Sequence, residues 1–165
     1  MLFRSKIRGS AAFEVKVYRG SPGILDAGGR ARGLLQSWQK WSFPVAPPGA
    51  ASGDPAGWRL VRKQRRITQF PLAGGQVRAV AAGPGAERGC AVELTEARLS
   101  EEAWWTLGFE AIGPTSLLRN HLEATAAVVF GLAVPDGIEL GTMNSTSYVE
   151  WLHSLPGSSP AGGRT

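Results

Sequence analysis

Over the first two thirds of the chain, polar and apolar positions alternate in short runs, and then the period changes. In residues 4–8 and 13–19 the character switches at nearly every step, as in a half-buried strand, and Gly9-Ser10-Ala11-Ala12 between them predicts a hairpin. Ser21-Pro22-Gly23 predicts a loop, and Ala27-Gly28-Gly29-Arg30 a second break. An aromatic-rich segment over 34–43 ends at Pro44, and the Pro/Gly/Ala-rich stretch that follows to Gly57 reads as a loop within one domain. Residues 58–70, WRLVRKQRRITQF, predict a long strand closed by Pro71; 76–82 predict a shorter strand and 83–89 a loop. Residues 90–99 and 104–112 predict two further strands around a turn at Ser100-Glu101-Glu102.

From Thr115 the spacing becomes helical. Leu117, Leu118, Leu122, Ala126 and Val129 recur at intervals of three and four after Pro114 and a Thr/Ser cap. Ser147 followed by Glu150 predicts a capping box that opens a short helix through Trp151, Leu152 and Leu155. The tail over 156–165 is expected to be disordered. Together these elements predict an α+β fold in a single domain over 1–155: a tunnel-like antiparallel β-barrel or strongly curved sheet with a C-terminal helix packed on it.

Composition narrows this picture. With 22 glycines and 11 prolines in 165 residues, turns between short strands are favoured over a helical bundle. Lys and Arg outnumber Asp and Glu by 18 to 13, a net charge of +5 that points to an anionic partner. The single cysteine, Cys90, excludes an intramolecular disulfide framework and a cysteine-based zinc cage, and two histidines exclude a His-rich metal site. No apolar run approaches the ~20 residues that span a bilayer, and the charged start MLFRSKIRGS lacks a signal peptide's apolar stretch. The expectation is a soluble cytoplasmic protein with no membrane association.

Candidate chemistry comes from strand spacing, because residues i and i+2 share a face. Lys6 with Arg8, Glu14 with Lys16 and Lys63 with Arg65 are such pairs, whereas Phe13, Val15 and Val17 fall on the opposite side of theirs. Glu93 and Glu110 are single acids within apolar strands. Taken one at a time, each pair reads as a solvated face. Taken together, several strands offering bases and acids toward a common side predict a shared polar interior, which is costly unless ions fill it. Arg forks and Lys point charges suit a chain of phosphates, and Mg²⁺ takes one or two carboxylates plus phosphate oxygens. The residue types therefore describe a cation-assisted polyphosphate site.

These segments, KIRG, FEVKV, WRLVRKQRR, AVELT and GFEAIG in that order over residues 4–130, resemble the CYTH family of triphosphate tunnel metalloenzymes. The resemblance implies phosphate binding by Lys6, Arg8, Lys16, Lys63 and Arg65. It implies Mg²⁺ or Mn²⁺ held by Glu14, Glu93 and Glu110, and metal-assisted hydrolysis of a triphosphate or similar small anion. The chain departs from the family twice. The acidic E-x-E-x-K strand that opens family members has no counterpart here, so the barrel is expected to lack its first strand through truncation or divergence. The late E-x-E strand is reduced to Glu93 followed by Thr95. A non-catalytic module for phosphorylated ligands or nucleic acid uses the same bases without the metal, and a lipocalin-like carrier needs an apolar interior that these bases would spoil.

The remaining conspicuous residues have plainer readings. Adjacent Trp104 and Trp105 point to opposite faces of a strand, which favours core packing of the tryptophans over a continuous base-stacking platform. Lys40, beside Trp38, is a lesser phosphate candidate. In the run Arg62-Lys63-Gln64-Arg65-Arg66, the first and last residues fall opposite Lys63 and Arg65, which argues against a nucleic-acid patch. His121 and His153 are expected to be exposed or capping, and Cys90 a small core residue. GGRARG and GPGAERG lack the spacing of a phosphate-binding loop.

Overall fold

The computed structural model describes residues 3–8, 12–44, 60–73, 76–81, 88–132, 135 and 137–155. The fold is α+β, with antiparallel strand pairings and a helix packed on a sheet. Two compact units are present: Met1–Leu25 with Arg32–Trp58 and Glu139–Thr165, and Asp26–Ala31 with Arg59–Ile138.

In the first unit, β1 (Phe3–Arg8), β2 (Ala12–Asp26) and β3 (Arg32–Pro44) form a sheet in that order. The register sets Lys6 opposite Glu14, Arg4 opposite Lys16 and Arg8 opposite Ala12. The expected hairpin forms; its connecting residues 9–11 lie outside the described residues. The loop expected at Ser21-Pro22-Gly23 is instead part of β2. Among the described residues the β1–β2 register ends at Phe3 opposite Val17, so Pro22 stands outside that ladder and its missing N–H breaks none of those pairings. Gly20 and Gly23 take positive φ, 133° and 120°, and the Ser21 hydroxyl donates to Leu35 O at 2.8 Å.

β3 is tied to the C-terminal segment. The Arg32 N–H donates to Leu140 O (2.7 Å), and the Leu34 N–H donates to Ser145 Oγ (2.8 Å) just past a 3₁₀ turn at Thr142–Asn144. The second helix, α2 (Tyr148–Ser154), starts at the predicted capping box. Ser147 Oγ accepts from the Glu150 N–H at 3.2 Å while Glu150 Oε2 accepts from the Ser147 N–H at 2.8 Å. Among the described residues of this unit, Val17, Leu35 and Leu155 are the buried apolar ones.

The second unit is built on β4 (Arg62–Phe70), β7 (Val80–Ala81), β8 (Gly89–Leu99) and β9 (Glu102–Ile112), ordered β7-β4-β8-β9. The strand expected over 76–82 is split. Gln76–Val77 (β6) pairs with Leu72–Ala73 (β5), while β7 adds to the edge of β4 at Thr68 and Gln69. Arg78 and Ala79 carry the chain between two different partners, a division that alternation alone does not reveal. The turn between β8 and β9 is where expected, with Leu99 opposite Glu102 and a two-residue loop of Ser100 and Glu101.

Helix α1 (Thr115–Gly131) packs on β8 and β9. Its N-cap residue is Pro114 and no side chain caps it, so the expected Thr/Ser cap does not form. Its buried positions are His121, Thr125, Ala126 and Phe130, whereas Leu117 is exposed. The helix therefore presents a more polar stripe to the sheet than the leucine spacing suggests. Phe130 meets Phe109 at a 5.5 Å centroid separation, and Phe70, Cys90 and Val92 complete the buried layer. At the other end of the helix, Arg30 Nη1 donates to Phe130 O at 2.7 Å and to Gly131 O at 3.3 Å, serving carbonyls that the helix leaves open.

Candidate functional site

Antiparallel partners share a sheet face, so the register sorts the charged residues of the second unit. One face carries, row by row, Lys63 with Ala97 and Trp104; Arg65 with Thr95 and Thr106; Ile67 with Glu93 and Gly108; and Gln69 with Ala91 and Glu110. Four candidates chosen separately from the sequence, Lys63, Arg65, Glu93 and Glu110, thus stand on one face of three adjacent strands. It is the face opposite α1, because Cys90, Val92, Phe109 and Phe130 pack on the other.

The centre of this face is small and dry, the flanks charged and wet. Thr95 and Ala97 are buried, Lys63, Arg65 and Glu110 exposed. Arg65 Nη1 lies 3.4 Å from Glu93 Oε2, diagonally across the strand pair, and the Thr95 hydroxyl donates to Glu93 Oε1 at 2.6 Å. Both oxygens of Glu93 are therefore held. Thr95, which alternation places on this face without marking it as a site residue, is the partner of Glu93 Oε1. It stands where a second acid of an E-x-E strand would be, and it supplies a donor to the first acid in place of a second negative charge.

The first unit holds the other candidates. Glu14 is buried, with Lys6 opposite it in register and Lys40 Nζ 4.0 Å from its Oε1. Lys16 follows two residues on, beside Arg4 in register. Lys40, the lesser candidate, thus approaches Glu14 from β3. Beyond it, Tyr18 and Trp38 make an edge-to-face contact at 5.3 Å. Arg8 is opposite Ala12.

The three glutamates expected to hold a metal divide between the units, Glu14 in one and Glu93 and Glu110 in the other. Among the described residues no group of three His, Cys, Asp or Glu side chains gathers as a metal cage. Arg65 faces one Glu93 oxygen and Thr95 donates to the other, so a cation at this face would share that carboxylate with them.

The histidine and tryptophan expectations need correction. His121 is buried against the end of β9, near Gly113, rather than exposed or capping, because the helix turns it toward the sheet. His153 is exposed in the last turn of α2, as expected. Trp105 is 66% exposed and so is not a core residue. Cys90 is buried as expected, and burial pushes its thiol up to about 11. No helix among the described residues is long and apolar enough to cross a membrane.

Comparison of the chain with family models, with curated proteins and with solved structures finds no match.

Proposed function

We propose that this chain binds a triphosphate or comparable polyphosphate on the Lys63–Arg65 face of its second unit. One observation carries the reading: two bases and two acids from three strands share that face, around a buried Ala97–Thr95 floor. Lys63 supplies a point charge and Arg65 a planar fork, the two donor types that polyphosphate oxygens take. Glu93 and Glu110 repel a bare phosphate chain, so the ligand enters as its Mg²⁺ or Mn²⁺ complex. The cation rides on phosphate oxygens and meets at most one or two carboxylates. Phosphate binding by Lys6, Arg8, Lys16 and Lys40, within the first unit taken by itself, is part of the same reading.

No catalytic residue is assigned, and turnover is a separate readout from binding. The test is calorimetric titration with inorganic tripolyphosphate in Mg²⁺ or Mn²⁺, with phosphate release followed in parallel. The parent chain is compared with Lys63→Ala, Glu93→Gln and Glu110→Gln. Binding lost in Lys63→Ala, and cation dependence lost in the glutamine variants, is the expected result. Unchanged binding in Lys63→Ala overturns the assignment.

A further inference from the structure

The opposite face of the same sheet bears a second constellation that the polyphosphate reading does not use. Its rows are Arg62 with Arg98 and Ala103; Gln64 with Glu96 and Trp105; and Arg66 with Leu94 and Leu107. Helix α1 lies over the far end of this face, where Phe109 meets Phe130 and Cys90 and Val92 are buried. The near end is open: Trp105 is 66% exposed, Leu94 40% and Leu107 38%. Around these apolar groups Arg62, Arg66 and Arg98 are all exposed. The carboxylate on this face, Glu96, is held by Arg98, whose Nε donates to Oε1 at 2.7 Å.

We infer that this open end binds single-stranded nucleic acid. An exposed indole on a sheet, beside two leucines, offers a flat apolar surface on which a base can stack, and a duplex hides its base faces. Arg62 and Arg66, four residues apart on one strand and so roughly 13 Å apart, flank that surface with charge for two phosphates of the strand on either side of the stacked base. Arg98 neutralises Glu96, so the face is net cationic, complementary to a strand carrying one charge per nucleotide. The opposed orientation of Trp104 and Trp105 does not weaken the case. It assigns the two rings to different faces, and Trp105 alone serves as the platform.

The experiment uses the full chain and fluorescently labelled oligonucleotides of about 12 nucleotides, as uridine and thymidine homopolymers and as a duplex, read by anisotropy across a salt series. Expected are binding of the single strands in preference to the duplex, and a log–log salt slope of about −1.4, from about −0.7 per phosphate contact at Arg62 and Arg66. Trp105→Ala lowers affinity roughly 5- to 150-fold, Trp105→Phe retains most of it, and Arg66→Gln flattens the slope by about 0.7. Binding of RNA or of DNA supports the inference, and their ratio identifies the preferred sugar. Unchanged affinity in Trp105→Ala with an unchanged thermal melt, equal binding of duplex, or no binding at low salt overturns it.

Discussion

The Arg65 guanidinium stands 3.4 Å from the Glu93 carboxylate, with both side chains about one third exposed at 36% and 35%. A pair this wet contributes little to stability, about 0.2–1 kcal/mol, so its interest lies in charge rather than in folding. Glu93→Gln is expected to leave the urea midpoint nearly unchanged. It also removes a negative charge from beside the bases, so tripolyphosphate binds more tightly without divalent cation and gains less from adding Mg²⁺. Calorimetry with and without a chelator reads this crossover. Equal Mg²⁺ dependence in parent and variant would show that Glu93 does not meet the cation.

Glu150 is held by Ser147 through both its hydroxyl and its backbone N–H, and more weakly by Gln36 and Thr146, which keeps its carboxyl below the usual range. A depressed carboxyl stabilises the folded state above its unfolded value, near 4.5, and the contribution disappears as pH falls through the lowered folded value. Ser147→Ala is expected to cost about 1 kcal/mol at neutral pH and to reduce this acid-dependent loss. Urea unfolding followed by far-UV circular dichroism at pH 3 to 7, roughly the range over which carboxyls titrate, measures both.

The sheet faces were readable from sequence because strand alternation is a strict period of two. The register confirms that Lys63 and Arg65 fall together and that Arg62 and Arg66 fall opposite. The β8–β9 turn and the Ser147 box were readable for a similar reason: both are set by a few neighbouring residues. What alternation cannot supply is partnership. It gives no sign that 76–82 divides between two partners, or that β2 continues through Pro22.

Helical spacing also misled at α1, because it weights leucines by hydrophobicity, while the sheet beneath accepts His121 and Thr125 and leaves Leu117 in water. The same limit applies to Trp105. A tryptophan's size predicts burial, yet exposure depends on how far α1 reaches along the sheet. Thr95 could have been found from its position two residues after Glu93, which puts its hydroxyl on the same face as that carboxylate.

Two backbone positions make opposite predictions. Gly89 is buried at φ 134°, and a Cβ there would lie 2.5 Å from Phe70 O and 2.9 Å from Pro71 Cα. Both contacts are backbone and cannot swing away, so Gly89→Ala is expected to destabilise by well over about 1 kcal/mol. Ser100 holds φ 54° in the β8–β9 turn, a region glycine occupies without penalty. Ser100→Gly is therefore expected to stabilise, by up to about 1 kcal/mol. Paired urea denaturation curves check both signs in one experiment.

Cys90 sits beneath α1, and its buried thiol should show in the alkaline stability of the whole chain. Burial is the main cause that raises it from 9.0 to about 11; the charge of Glu110 adds to the rise, while hydrogen bonding by Thr125 and by the Glu110 backbone offsets part of it. Below pH 9.0 the thiol is protonated in both states and its contribution is fully present. Between 9.0 and about 11 the unfolded chain releases its proton first, so it binds fewer protons than the folded chain and stability falls as pH rises. Cys90→Ala lacks this loss, so the stability gap between parent and variant is expected to move in the variant's favour across that window. Titrations of Lys and Tyr are common to both chains and cancel in the difference. A second readout is reactivity: at pH 8, below the folded thiol's range, a thiol reagent should label Cys90 only at the rate of unfolding. A constant gap from pH 8 to 11, with rapid native-state labelling, would mean that the thiol reaches solvent and that α1 does not seal this end of the sheet.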